Sequence, residues 1–148
     1  DAVRRQLADE PGLRRVLGEL DGHPHGQPGR RWPGLRPAAL LADLPALRAT
    51  ELDEALAAIV AAGPGSHFVA DADGTGTALY AAPHAAFDPR FGAASARAHA
   101  DAGARPVAGA LASLRRDVDD LASLEGAIEL GVGPRTRAAL APLPDRGA

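Results

Sequence analysis

The sequence predicts an α/β domain with a largely parallel sheet. Short apolar runs that resemble buried strands alternate with helical stretches from residue 38 onward, an alternation typical of α/β proteins. Two of these runs end in acidic motifs, LADLP at residues 41–45 and LRRDVDD at residues 114–120. Because ligands of open α/β sheets collect outside the carboxyl ends of the strands, the two motifs indicate a metal and phosphate site.

Composition excludes several classes of protein. The chain has 148 residues and is 46% hydrophobic, which suits one globular domain, and it has no apolar run near the roughly 18 residues of a membrane span. A formal net charge of −3 argues against a general nucleic-acid binder. The absence of cysteine removes disulfides, thiolate metal sites and cysteine nucleophiles. We therefore expect a cytoplasmic protein that binds neither nucleic acid nor membranes.

The start of the chain is unlike the rest. The sequence begins with Asp1 and contains no Met, so we expect it to lack its beginning, including the first strand of the domain. Residues 1–21 have near-helical apolar spacing interrupted by Pro11, and residues 22–37 are rich in glycine and proline. We interpret residues 1–37 as a divergent or disrupted N-terminal segment and residues 38–148 as the folded core.

Within the core, apolar spacing and capping signals predict each element in turn. The predicted strands cover residues 38–43, 67–70, 78–82 and 111–118. The predicted helices begin at Thr50, in a capping-box pattern, at Ser95, at Asp119 or Asp120, and at Gly133-Pro134.

Three carboxylates are candidates for a metal site. Asp43 and Asp117 are the primary pair, because carboxylates at neighbouring strand ends can hold Mg²⁺ when phosphate oxygens complete its octahedral shell. Asp119 points the same way as Asp117 if the segment stays extended, so it is a second ligand or a water holder. The alternative is that Asp119 or Asp120 only caps the following helix, and for Asp120 we favour the cap.

Two glycine-containing loops are candidates for phosphate binding. Thr75 and Thr77 lie in a Gly-Thr-Gly-Thr loop that offers backbone N–H groups and hydroxyls, although a plain hairpin turn explains the same pattern. Gly92 and Ser95 precede a helix whose first N–H groups would face an anion, and simple helix capping is the alternative. His99 lies on that helix, where we expect an outward-facing or a supporting position rather than catalysis.

Taken together, these motifs resemble a known family, the 2-phospho-L-lactate guanylyltransferases, also called phosphoenolpyruvate guanylyltransferases, of coenzyme F-420 biosynthesis. The resemblance covers the C-terminal two-thirds of the family pattern. Its motifs occur in the family's order: LLADLPAL (40–47), VADADGTGT (69–77), PRFGAAS (89–95), AHADAGA (98–104), LRRDVDD (114–120) and LGVGPRT (130–136).

The resemblance implies a GT-A-like nucleotidyltransferase fold and a reaction. In that reaction GMP passes from GTP to the phosphate of phosphoenolpyruvate or 2-phospho-L-lactate, with release of pyrophosphate. Asp43 and Asp117 correspond to the Mg²⁺ carboxylates of the family. Thr77, Gly92 and Ser95 correspond to its phosphate-contacting residues, with Thr75 the alternative if the loop register shifts by two.

Two other functions stay open at this point. One is a related GT-A nucleotidyltransferase with another acceptor, such as a molybdenum cofactor cytidylyltransferase. The other is a truncated, inactive remnant that binds a phosphorylated acid, because the family's basic V-P-x-K-type loop for the GTP phosphates has no counterpart in this sequence. We therefore expect little GTP turnover from the 148-residue chain alone.

Overall fold

The computed structural model describes residues 36–141, which form a four-stranded sheet with helices on both faces. Predictions for residues 1–35, including most of the divergent N-terminal segment, lie outside the described residues. No helix in the described part of the chain has the length and apolar character needed to cross a bilayer.

The strands are β1 (Ala38–Leu40), β2 (His67–Ala70), β3 (Thr77–Ala81) and β4 (Arg105–Pro106). The helices are α1 (Ala49–Ala61), α2 (Ser95–Asp101), α3 (Ala112–Arg115), α4 (Leu121–Leu130) and α5 (Pro134–Leu140), with a 3₁₀ turn at His84–Ala86.

The sheet is mixed, so the prediction of a mostly parallel sheet is wrong, although the α/β class is confirmed. The strand order is β1-β3-β2-β4; β3 runs antiparallel to both its neighbours, and only β2 and β4 are parallel. The cause is the connection between β2 and β3. Residues 71–76 are too few for the crossover that parallel strands require, so the two strands form a hairpin.

The predicted strand over residues 111–118 is also wrong, because a one-turn helix, α3, occupies its centre. Leu111 adopts left-handed backbone with φ 43°, which ends any extended run at that point. The N–H groups of Ser113 and Leu114 then donate to Oε2 of Glu51 on α1, at 2.8 and 3.4 Å. A carboxylate from a distant helix therefore caps this turn.

The N-cap of helix α1 lies two residues earlier than predicted, and the predicted capping box is absent. Its N-cap is Arg48, with no side-chain capping bond, rather than Thr50. The Arg48 N–H instead donates to the Ser113 hydroxyl oxygen at 3.0 Å. Because Glu51 bonds α3 in return, the starts of α1 and α3 are joined by reciprocal hydrogen bonds.

The sheet has a hydrophobic cluster on each face. Alternate residues of β2 and β3 point to opposite sides, as the period of a strand requires. One face packs against α1 and α3 through a larger cluster: Leu44, Ala55, Ile59, Val69, Leu79, Ala81, Val107, Leu111 and Leu114. The other face packs against α2 through a smaller one: Phe68, Tyr80, Ala82, Ala96 and Ala104. The described region is therefore a helix–sheet–helix arrangement.

The C-terminal helices confirm the predicted boundaries. Asp120 is the N-cap of α4 and forms a reciprocal capping box with Ser123, whose N–H donates to Oδ1 at 2.8 Å. Gly131 follows the last turn of α4, and Gly133 is the N-cap of α5 with Pro134 in its first turn. These signals are local, so the sequence was sufficient to predict them.

The Asp120 cap predicts a pH dependence of stability. Hydrogen bonds from the backbone and then the hydroxyl of Ser123 lower the pKa of Asp120 below its ordinary value of 3.8. The cap therefore stabilises the fold fully above that value and is lost as the pH falls through the lower folded pKa. In thermal unfolding, we expect the wild type to lose more stability below pH 3.8 than Asp120→Asn, whose amide oxygen caps at every pH. Parallel pH profiles of the two proteins would contradict this assignment.

Candidate functional site

The predicted site residues line a single cavity of about 290 Å³. All seven candidates lie on its wall: Asp43, Thr75, Thr77, Gly92, Ser95, Asp117 and Asp119. Four carboxylates, three hydroxyl side chains and several small residues contribute to its lining. The structure thus brings together residues that are up to 76 positions apart (119 − 43), while the role of each residue stays a prediction.

Two loops bring the distant carboxylates together. After β1 the chain keeps one more ladder bond, from Leu41 N–H to the Ala78 carbonyl at 3.0 Å, and then reaches Asp43. The Val118 N–H donates to the Asp43 carbonyl at 3.2 Å, so the segment after α3 runs beside the segment after β1. Asp117 therefore reaches the cavity from the end of a one-turn helix, not from the strand end that the sequence predicted.

The carboxylates of the cavity concentrate negative charge. Burial raises the pKa of Asp117 above its ordinary value, and the carboxylates of Asp71, Asp119 and Asp43 raise that pKa further. None of the ion pairs found within residues 36–141 involves these four carboxylates. Negative charge without a paired cation favours binding of a positive ion.

Asp71 is a fourth carboxylate of the cavity, and it was not among the predicted site residues. Its Oδ1 accepts the Thr75 N–H at 3.0 Å, and its Oδ2 accepts the Gly76 N–H at 2.6 Å. Its own N–H donates to the Gly76 carbonyl at 3.1 Å. Asp71 therefore shapes the loop between β2 and β3. An aspartate at the end of a strand with Gly74 three positions on is a turn signal that could have indicated this role.

The loop between β2 and β3 is both a hairpin turn and a wall of the cavity, so the two interpretations made from the sequence are compatible. Gly74 has φ +74°, a conformation that glycine adopts without strain. Gly76 is restricted differently, because a Cβ added there would overlap the Asp71 carboxylate. Close approach of Asp71 thus requires glycine at position 76.

Residues with hydroxyl side chains also line the cavity. Thr77 and Ser95 are each only 2% exposed. The prediction that the N–H groups at the start of α2 are free is partly wrong. The Ser95 N–H donates to the Gly92 carbonyl and the Ala96 N–H donates to the Thr75 carbonyl, each at 3.1 Å. The N–H groups of Ser95 and Ala96 are therefore not free to bind an anion.

His99 lies behind Thr77 and not on the surface, so the outward-facing alternative is wrong. Its side chain is 1% exposed, and its Nδ1 lies 2.9 Å from the Thr77 hydroxyl oxygen. Its Nε2 accepts the Arg90 N–H at 2.8 Å. Both ring nitrogens thus have hydrogen-bond partners. His99 therefore occupies the supporting position, the other alternative that the sequence left open.

The protein groups alone do not enclose a metal ion. Within residues 36–141, no group of three or more histidine, aspartate or glutamate side chains is placed to hold one. Any cation bound beside Asp43 and Asp117 would take some of its ligands from water or from a bound substrate. Mg²⁺ suits such a site, because it is usually held by one or two carboxylates together with substrate phosphates.

The described region is thus an α/β domain with a cavity that is lined by four carboxylates and by three residues with hydroxyl side chains. Phosphoenolpyruvate guanylyltransferases are among its relatives, and their similarity confirms the resemblance carried by the motifs. The chain is 55% identical to that of Thermomonospora curvata over 108 residues, 48% to that of Geodermatophilus obscurus over 136, and 53% to that of Rhodococcus erythropolis over 102.

These similarities cover more of this chain than of its relatives. The aligned regions are 72%, 92% and 68% of the chain, but 46%, 60% and 44% of the three relatives in the same order. The chain therefore spans about half the length of the curated relatives it matches. No protein-family model matches the chain.

Proposed function

We propose that this chain carries the acceptor side of a guanylyltransferase. Phosphoenolpyruvate or 2-phospho-L-lactate would bind in the cavity and receive GMP from GTP, with release of pyrophosphate, in coenzyme F-420 biosynthesis. The observation that carries the proposal is the cavity, in which four carboxylates lie near hydroxyls contributed by separate elements. The names of the relatives favour a guanylyl donor and a phosphoenolpyruvate acceptor over a cytidylyltransferase.

An anionic acceptor needs a cation in this cavity. The proposed acceptor carries a phosphate and a carboxylate. The cavity already holds the negatively charged carboxylates that help to raise the pKa of Asp117. We propose that Asp43 and Asp117 hold Mg²⁺ and that Asp119 holds a water bound to the ion. When bound, Mg²⁺ supplies charge neutralisation between carboxylates and phosphate and stabilises the charge that develops during transfer.

The hydroxyl-bearing residues of the cavity would orient the acceptor. The hydroxyls of Thr77 and Ser95 would donate to phosphate oxygens, with Thr75 as the alternative, and Gly92 leaves room for the phosphate to approach the backbone. A phosphate is already ionised at neutral pH, so its attack on the α-phosphorus of GTP needs no protein nucleophile or dedicated base. The bond to the α-phosphorus forms as the bond to pyrophosphate breaks.

Calorimetry on the 148-residue chain tests the acceptor site. We expect phosphoenolpyruvate to bind in the presence of Mg²⁺ and binding to be lost in EDTA. Asp119→Asn should weaken that binding about tenfold, the cost of one charge-assisted contact. Asp53→Asn is the matched control, because Asp53 is an exposed residue of α1 that does not line the cavity. Affinity that is equal in Mg²⁺ and EDTA would contradict the proposal.

A further inference from the structure

We infer that His99 is a positioning residue, which directs the Thr77 hydroxyl hydrogen toward a phosphate oxygen of the bound acceptor. The inference deepens the proposed function and rests on it. The observation behind it is the chain of contacts from the Arg90 N–H through the imidazole to the hydroxyl of Thr77, a residue that lines the cavity. His99 itself does not line the cavity, so it would act only through Thr77.

The contacts of the ring determine which nitrogen carries the proton. The Arg90 backbone N–H can only donate, and it points to Nε2 at 2.8 Å, so Nε2 accepts with its lone pair. The neutral imidazole of His99 then has its proton on Nδ1. Because Nδ1 lies 2.9 Å from Oγ1 of Thr77, the ring donates to the hydroxyl oxygen. The hydroxyl hydrogen of Thr77 must therefore point elsewhere.

The surroundings keep the ring neutral and fixed. Burial is the main cause that lowers the pKa of His99, and the Arg90 guanidinium acts in the same direction, whereas the Ser95 backbone and Asp88 act against it. A second proton on the ring would also place an Nε2–H group against the Arg90 N–H, so that two donors would face each other. Aromatic rings hold the imidazole plane: Tyr80 stacks at 4.5 Å and Phe68 at 5.9 Å between centroids, and Phe91 meets the ring edge-on at 5.9 Å.

This arrangement makes Thr77 a directed donor. A free hydroxyl rotates and can donate to any nearby acceptor, but one that already accepts from His99 keeps its hydrogen for another partner. In the cavity that partner would be a phosphate oxygen. Donation from Nδ1 also polarises the hydroxyl, which strengthens its bond to an anion.

Paired substitutions separate the two hydrogen bonds of the ring. His99→Gln places a side-chain oxygen near the position of Nε2 and keeps the Arg90 contact, but it removes the Nδ1 donor. His99→Asn places an amide nitrogen near the position of Nδ1 and keeps the donor to Thr77. With phosphoenolpyruvate and Mg²⁺ as the probe, we expect the Gln variant to bind about tenfold more weakly and the Asn variant to bind within about threefold of the wild type.

A double-mutant cycle tests whether His99 acts through Thr77. We expect Thr77→Val to weaken binding about tenfold and the Thr77→Val/His99→Gln double variant to bind no more weakly than Thr77→Val alone. Independent structural effects would instead add. Side-chain ¹⁵N NMR of the free wild type gives a readout that needs neither ligand nor variant, and it should show the His99 proton on Nδ1.

The outcomes distinguish the inference from the proposed function. Wild-type protein that does not bind phosphoenolpyruvate overturns both. Wild-type binding with equal affinity in the His99→Gln variant, additive losses in the cycle, or a proton on Nε2 overturns the inference alone. If the Gln variant does not fold, the Asn variant and the NMR tautomer decide.

Discussion

Asp117→Asn and Asp43→Asn are each expected to abolish Mg²⁺-dependent binding of phosphoenolpyruvate without unfolding the chain. Each change removes a charged ligand from the cavity and leaves the acceptor phosphate facing the remaining carboxylates. The loss of one charged ligand costs about 3 kcal/mol, the upper end for a contact to a charged group, so affinity should fall about 100-fold. Calorimetry with Asp53→Asn as the control measures this, and wild-type affinity in either variant would refute the metal assignment.

The same Asp117→Asn variant is expected to be at least as stable as the wild type in EDTA. The pKa of Asp117 is raised in the folded state, so its charge opposes folding at neutral pH. That penalty is absent below the ordinary value of 3.8 and grows as the pH rises through the folded pKa. The stability gained by the variant should therefore disappear in acid. A variant less stable than the wild type at pH 7 would show that Asp117 has a structural role instead.

Gly76→Ala is expected to damage the cavity more than the fold. An added Cβ would overlap the Asp71 carboxylate, which then could not accept from the Thr75 and Gly76 N–H groups. Overpacking of this kind costs about 1–3 kcal/mol. Because Asp71 shapes the wall that carries Thr75 and Thr77, we expect binding of phosphoenolpyruvate to weaken at least about tenfold, the value of one hydrogen bond to a charged group.

Gly74→Ala is the matched control in the same loop. Gly74 has φ +74°, and no atom lies within 4 Å of a Cβ added there. The substitution therefore introduces only backbone strain, about 1–2 kcal/mol. Thermal unfolding and calorimetry of the two variants separate strain from displacement of Asp71. Equal losses of affinity in both would mean that loop strain, and not the Asp71 contact, controls the cavity wall.

The features that were predictable from the sequence are those set by neighbouring residues. Strand β2, the Asp120 cap of α4 and the Gly133-Pro134 start of α5 each depend on signals within a few positions. The candidate site residues were proposed in the same way, because acidic and glycine-rich motifs are local, and their roles stay predictions. Their placement around one cavity is what the structure adds.

The failures share a different cause, since each depends on contacts between distant segments. Helix α3 replaces a predicted strand because Glu51, more than 60 positions away, caps its N–H groups (113 − 51 = 62). The burial of His99 requires Tyr80 and Phe68 from two strands to pack against its ring. The antiparallel direction of β2 and β3 follows from the tight turn between them, which the sequence also allowed to be a phosphate-binding loop. No local pattern contains that information.

A crystal structure of the chain with Mg²⁺ and phosphoenolpyruvate would show whether Asp43 and Asp117 share one ion with the acceptor. We expect one ion bound by carboxylate oxygens of both aspartates at about 2.1 Å, with a phosphate oxygen of the acceptor in the same shell. We also expect this phosphate to contact the hydroxyls of Thr77 or Ser95. A well-occupied acceptor outside this cavity, or an ion that contacts neither aspartate, would contradict this assignment.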